Sequence, residues 1–388
     1  MHELPVFRLE AFFSEWDPLL KHNIAQSDAE TMTIGELLAF GTGEDRDAFE
    51  RLTLGYPLGW GATELRQAVA STYDAIDWEH TLMFSGAEEA IYLGITEMAG
   101  PGDHAIVTVP NYQSMESVTV ATGAEVTGVM LDAANDWAFD LDDVRKALRP
   151  NTKLIAVNFP NNPTGAVAEQ AAFRGLAELC HERGIRLFSD EVYRGLEVED
   201  SRPLPQAADI SPSAVSLNVM SKAYGLSGLR IGWVASQDHG ILERLERRKH
   251  YTTICNAGPS ELLATIALKN ADAIKARNRA IIAENLPIFR EFFVERWGEW
   301  FDWSRPQGGC VSFPRYLGPG SCEEFCRALL TEAGVCVLPP SIYASELGRV
   351  PSDHFRLGVG HRDPGPALEA FDKFLSRQAP SATGRGVR

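Results

Sequence analysis

Positive charge is scarce in this chain. Thirty-six lysines and arginines face 53 aspartates and glutamates, for a formal net charge of −17. Such a balance argues against nucleic acid or an anionic membrane surface as a partner. An anionic ligand must then be held by local positive features. Cysteine is also sparse: Cys180, Cys255, Cys310, Cys322, Cys326 and Cys336 lie scattered through apolar or helical patterns. Cys322 and Cys326 share one face of an expected helix, but no second ligand pair matches them. They read as core thiols of a reducing compartment, and no metal site is expected. No uninterrupted apolar run approaches a membrane span. The first sixteen residues carry Glu3, Glu10 and Glu15 and lack the basic region of a signal peptide. A cytoplasmic protein is the expectation. Gly59 and Gly61 imitate the start of a dinucleotide fingerprint, yet the third glycine and the preceding strand are missing. There are no internal repeats and no spare length for an appended DNA-binding domain. At 388 residues the chain exceeds what one small core organises, so two lobes around a cleft are expected.

The most informative stretch is present rather than absent. It runs Ser221-Lys222-Ala223-Tyr224-Gly225-Leu226-Ser227-Gly228-Leu229-Arg230-Ile231-Gly232. The apolar run 214–220 reads as a buried strand delivering Lys222 to its end, and a second short strand is expected over 231–235. Gly225, Gly228 and Gly232 let backbone crowd around the lysine. Partial burial lowers an ammonium pKa and frees a nucleophilic amine, the setting needed for an imine with a carbonyl compound.

The whole string resembles the pyridoxal-phosphate lysine motif of the class I/II aminotransferases, Ser-Lys-x-x-Gly-x-x-Gly-x-Arg-x-Gly. The resemblance implies that Lys222 holds pyridoxal 5'-phosphate as an internal aldimine and that Arg230, with Ser221, binds its phosphate. Further motifs follow in family order. Tyr56 begins a Tyr-x4-Gly-x3-Leu-Arg string, whose tyrosine in that family reaches the partner subunit's cofactor; a homodimer with shared sites is implied. A strand at 81–84 feeds Ser85-Gly86-Ala87-Glu88 and a helix, a ready anion site that matches the family's phosphate cup at Gly86, Ala87 and Glu88. Tyr112, after the strand 104–110, is the ring-stacking candidate. Asn162, in Pro160-Asn161-Asn162-Pro163-Thr164-Gly165, and Tyr193 would share the cofactor's phenolic oxygen. Asp190 would face its ring nitrogen, because a carboxylate ending a buried strand is costly without a partner. Arg356, inside the apolar strand 355–359, matches the arginine that forks onto the substrate α-carboxylate.

Strands alternating with helical patterns over 90–236 indicate an α/β fold, a mostly parallel sheet sandwiched by helices (fold type I), with a smaller α+β lobe. The expected divisions are 1–49 (N-terminal part of the small lobe), 50–284 (large cofactor domain), 285–377 (small C-terminal domain) and a disordered tail, 378–388. Ser27-Asp28-Ala29-Glu30 reads first as a helix cap, and second as an acidic wall of the substrate mouth.

One departure stands out: Val219 occupies a position that carries a hydroxyl in many family members. Fold and cofactor leave the reaction open. An aminotransferase acting on an L-amino acid is favoured, and Tyr193 is the aminotransferase choice. The lysine string, the stretch 306–315 and the N-terminal layout also resemble the subgroup containing capreomycidine synthase. That resemblance implies the alternative, an eliminating lyase or cyclase on a hydroxyarginine-like substrate.

Overall fold

The computed structural model describes residues 2–198 and 201–378; the tail beyond Gln378 lies outside them. Seven apolar runs form the central sheet: β1 (Thr81–Phe84), β2 (His104–Val109), β3 (Glu125–Met130), β4 (Thr152–Asn158), β5 (Arg186–Asp190), β6 (Ala214–Val219) and β7 (Gly232–Ala235). Their order across the sheet is β1-β7-β6-β5-β4-β2-β3. Only β7 runs against its neighbours. Strands β1, β2, β6 and β7 are buried along their whole length, as expected of strands covered by helices on both faces.

Helices Ala87–Met98, Gln113–Ala121, Leu141–Ala147 and Gln170–Arg183 connect the strands. The last ends where its sequence says it should, at Gly184 in the left-handed conformation, whose N–H returns to the Cys180 and His181 carbonyls. These connections bring the carboxyl ends of β4, β5 and β6 side by side.

The C-terminal part is irregular. Its strands shrink to two-residue pairs, Val311–Ser312 with Leu357–Gly358 and Phe301–Asp302 with Arg315–Tyr316. Packing there comes from rings instead: Phe293, Phe301, Phe325, Phe355 and Phe371 touch one another, with centroids 5.0 Å apart for Phe293 and Phe301. The helix Ala271–Arg290 passes through residue 285 without a break.

The N-terminal segment threads between these parts. Ala29 N–H donates to the Lys222 carbonyl at 3.2 Å, Glu30 N–H to the Gly360 carbonyl at 2.9 Å, and Gly358 N–H to the Ile24 carbonyl at 2.7 Å. A Cβ on Gly358 would sit 2.1 Å from the Gln26 oxygen, so only glycine admits this path. Ser27–Glu30 therefore caps no helix. The helix Ile34–Leu38 is capped by Thr33, whose hydroxyl takes the Glu36 N–H while the Glu36 carboxylate takes the Thr33 N–H. Backbone pairing of residues 29 and 30 with the lysine turn and the C-terminal strand overrides the local cap signal. Among the described residues no helix is long and apolar enough to cross a membrane.

Candidate active site

At the carboxyl ends of β4, β5 and β6 lies a cavity of 430 Å³. Lys222, three residues beyond β6, contributes to its wall, and its Nζ donates to Ser27 Oγ at 2.8 Å. Burial depresses the lysine pKa; Asp28 opposes this, the positive charge of Arg356 adds to it, and Cys310 and Asp190 oppose it more weakly. The net direction is downward, toward a free amine.

Asp190 is the last residue of β5 and is buried, accepting the Val192 N–H at 3.2 Å. Burial lifts its pKa to about 7 against the pull of that N–H and of Lys222. Among the described residues it forms no ion pair, so the cavity holds a costly carboxylate that a cationic ring N–H would satisfy. Asn162 N–H donates to Asn158 Oδ1 at 2.8 Å, and Asn158 Nδ2 donates to the Asp190 carbonyl at 3.1 Å. This bridge locks the ends of β4 and β5 together. Tyr193 is buried, and its hydroxyl donates to the Ser27 carbonyl at 2.8 Å. Tyr112 lines the cavity with its ring against Phe7, centroids 5.5 Å apart.

The opposite charge requirement is met near Gly86. Arg230, itself left-handed at φ 52°, donates from Nη1 to Ser221 Oγ at 3.4 Å and to the Ser227 carbonyl at 3.2 Å. Gly86 has φ 91°, and a Cβ there would lie 2.4 Å from Arg230 Nη2. The helix Ala87–Met98 begins directly after it, leaving first-turn N–H groups beside a guanidinium, a cradle suited to phosphate. Val219 also lines the cavity, and the nearby hydroxyls come from Ser221 and Ser227. Glu88 stands at the same wall and accepts the Ser114 hydroxyl at 2.6 Å; burial raises its pKa, with Glu10 contributing.

Arg356 sits behind this front. It is 1% exposed, donates to the Ala25 carbonyl at 2.6 Å and to Asn162 Oδ1 at 3.3 Å, and leaves Nε without a partner. No carboxylate pairs with it among the described residues, and an unpaired guanidinium at such depth is strongly destabilising. Tyr56 is 92% exposed and lines no part of the cavity. Asn158, Ser27, Phe7 and Glu10 also line or support the site and escaped the reading of the sequence. Asn158 had a signal, a polar residue ending an apolar strand; the others lie in an N-terminal segment whose path only the fold reveals.

A buried carboxylate, a depressed lysine and an arginine beside a helix N-terminus fit the ring nitrogen, aldehyde and phosphate of one cofactor. Fold and site define a fold type I pyridoxal-phosphate enzyme. The chain belongs to the family of class I and II aminotransferases, whose model matches residues 46–365, and its cofactor is pyridoxal 5'-phosphate. It is 32% identical over 372 residues to a capreomycidine synthase of Streptomyces vinaceus, spanning 94% of this chain and 92% of that relative. Identity to an arginine–pyruvate transaminase of Pseudomonas aeruginosa is 33% over 318 residues, 77% of this chain and 76% of the relative. A crystal structure of a pyridoxal-phosphate-dependent aminotransferase from Streptococcus suis superposes with TM-score 0.90 at 30% identity, covering 98% of this chain and 100% of that one.

Proposed function

We propose that this enzyme removes the amino group of an L-amino acid and passes it to a keto acid, with Lys222 moving the proton. The observation that carries this reading is the meeting of Lys222, Asp190 and Asn162 in one cavity, with Arg356 donating to Asn162 Oδ1 behind it. Bound pyridoxal phosphate supplies an electron sink that acidifies the Cα–H bond of the amino acid joined to it. Asp190 would hold the ring nitrogen's proton. Asn162 and Tyr193 would bond the phenolic oxygen, and Arg356 would fork onto the substrate carboxylate. Lys222 Nζ, its pKa lowered by burial, would take the proton from the substrate's Cα and hold it for return. Tyr193 and the Ser27 carbonyl close the wall on that side.

A second reading, elimination followed by ring closure, is favoured by similarity to capreomycidine synthase along 94% of the chain. In it, Lys222 removes the same proton and a substituent leaves from the side chain. The two part in one experiment: the purified holoenzyme is incubated with candidate amino acids and pyruvate. Alanine formation is expected; release of water or a ring product without alanine would replace transamination by the second reading. For Lys222→Ala we expect loss of the visible absorbance of the cofactor-loaded protein and of turnover, and full retained activity would remove Lys222 from its role.

Our reading extends to assembly. We propose a large lobe of residues 50–284, a small lobe from 1–49 and 285–377, and a homodimer in which Tyr56 serves the partner's site.

A further inference from the structure

One wall of the cavity has no task in the proton transfer just described. Asp28 lines the cavity beside Lys222, and its Oδ1 lies 3.0 Å from His361 Nε2. The other ring nitrogen of His361 is 3.5 Å from Glu30 Oε2. One imidazole thus stands between two carboxylates, and it joins the N-terminal segment to the turn after Arg356. Burial works against charge on His361, but the bond to Asp28 and the charges of Asp28 and Glu30 outweigh it and raise its pKa. Burial likewise opposes ionisation of Asp28, and the bond and charge of His361, with Lys222 behind them, outweigh it and lower its pKa. Asp28 is therefore an ionised, oriented carboxylate, and among the described residues no lysine or arginine pairs with it. Glu10, from the helix Arg8–Trp16, adds a second carboxylate to the same cavity. Both lie before residue 46, where the match to the family model begins.

With the α-carboxylate taken by Arg356 and the amine by the cofactor, the substrate's side chain is left to meet this wall. A fixed negative charge there repels acidic side chains, gives nothing to neutral ones and attracts a cation. We infer that Asp28, oriented by His361, selects amino acids whose side chain ends in a guanidinium or ammonium group. The inference rests on the reading of this cavity as an amino-acid site.

The test is a titration of the holoenzyme's visible spectrum with arginine, leucine and glutamate, in wild type, Asp28→Asn and His361→Gln. Wild type is expected to half-saturate at the lowest concentration with arginine. Asp28→Asn should raise that concentration by about tenfold to a hundredfold, the range of a lost hydrogen bond to a charged group, leave leucine unchanged and improve glutamate. His361→Gln should shift arginine in the same direction by less. Equal weakening for all three amino acids in Asp28→Asn would mark a structural role and overturn the inference. So would a wild type that prefers leucine, or a variant with unaltered selectivity; in these cases the amino-acid site itself stands. If no amino acid disturbs the wild-type spectrum, the reading of the site and the inference fall together.

Discussion

Asp190 and Glu191 are neighbours in the chain, and burial pushes both to a pKa of about 7. Their surroundings divide their work. Glu191 Oε1 accepts the Ala207 N–H and the Ser216 hydroxyl, both at 2.8 Å, and so ties β6 to the chain before it. Asp190 faces the cavity. Between the ordinary aspartate value of 3.8 and about 7, the folded cofactor-free protein keeps a proton on Asp190 that the unfolded chain has released. Stability from that proton is whole below the ordinary value and is lost as pH rises through about 7. Cofactor-free wild type should therefore lose more melting temperature between pH 5 and pH 8 than Asp190→Asn does. Equal losses would mean that Asp190 is ionised in the empty fold. Asp190 was readable in the sequence as a carboxylate closing an apolar run. Asn158 carried a similar signal, a polar residue ending an apolar strand, but its task of locking Asp190 to Asn162 was not readable, because that depends on a neighbouring strand 32 residues away.

At the scale of elements, the phosphate cradle depends on a strand, a glycine and a helix in immediate succession. Gly86 combines a positive φ with the close approach of the Arg230 guanidinium, so a side chain must strain the backbone and displace the arginine. For Gly86→Ala we expect a strain of about 1–3 kcal/mol and a corresponding loss of pyridoxal-phosphate affinity, read by absorbance titration of the cofactor-free protein. Affinity equal to wild type would separate the Gly86–Arg230 contact from cofactor holding. Strands and helices of the sheet region were legible because their periodicities and end signals agree; the helix Gln170–Arg183 with Gly184 is an instance. The segment 27–30 was misleading for the converse reason. Serine and aspartate carry a local cap signal, and long-range backbone pairing to Lys222 and Gly360 overruled it.

For the whole molecule, exposed apolar surface points to assembly. Leu54, Tyr56, Leu58, Tyr251 and Ile254 are all exposed, Tyr56 at 92% and Tyr251 at 90%. The stretches that carry them approach each other at Gly59, whose carbonyl accepts from Lys249 Nζ at 2.8 Å and where an added Cβ would lie 3.5 Å from the Ile254 carbonyl. Exposed apolar side chains on a chain of net charge −17 support the proposed homodimer. Under the proposed dimer, Leu54→Asp should shift the protein to monomer in sedimentation and lower activity per chain. A variant that stays dimeric would move the interface elsewhere.

The order of residues was sufficient for the cofactor and the sheet, and it marked several of the groups at the strand ends. Those features rest on short-range patterns: an apolar run ending in one polar residue, or glycines at fixed offsets from a lysine. What the tertiary structure decided was company. It set Ser27 against the reactive amine, His361 behind Asp28, and Arg356 against Asn162 and the Ala25 carbonyl. Each of those meetings joins residues far apart in the chain. Which polar groups share a cavity depends on how the N-terminal segment is routed across the folded sheet, and no local signal carries that route.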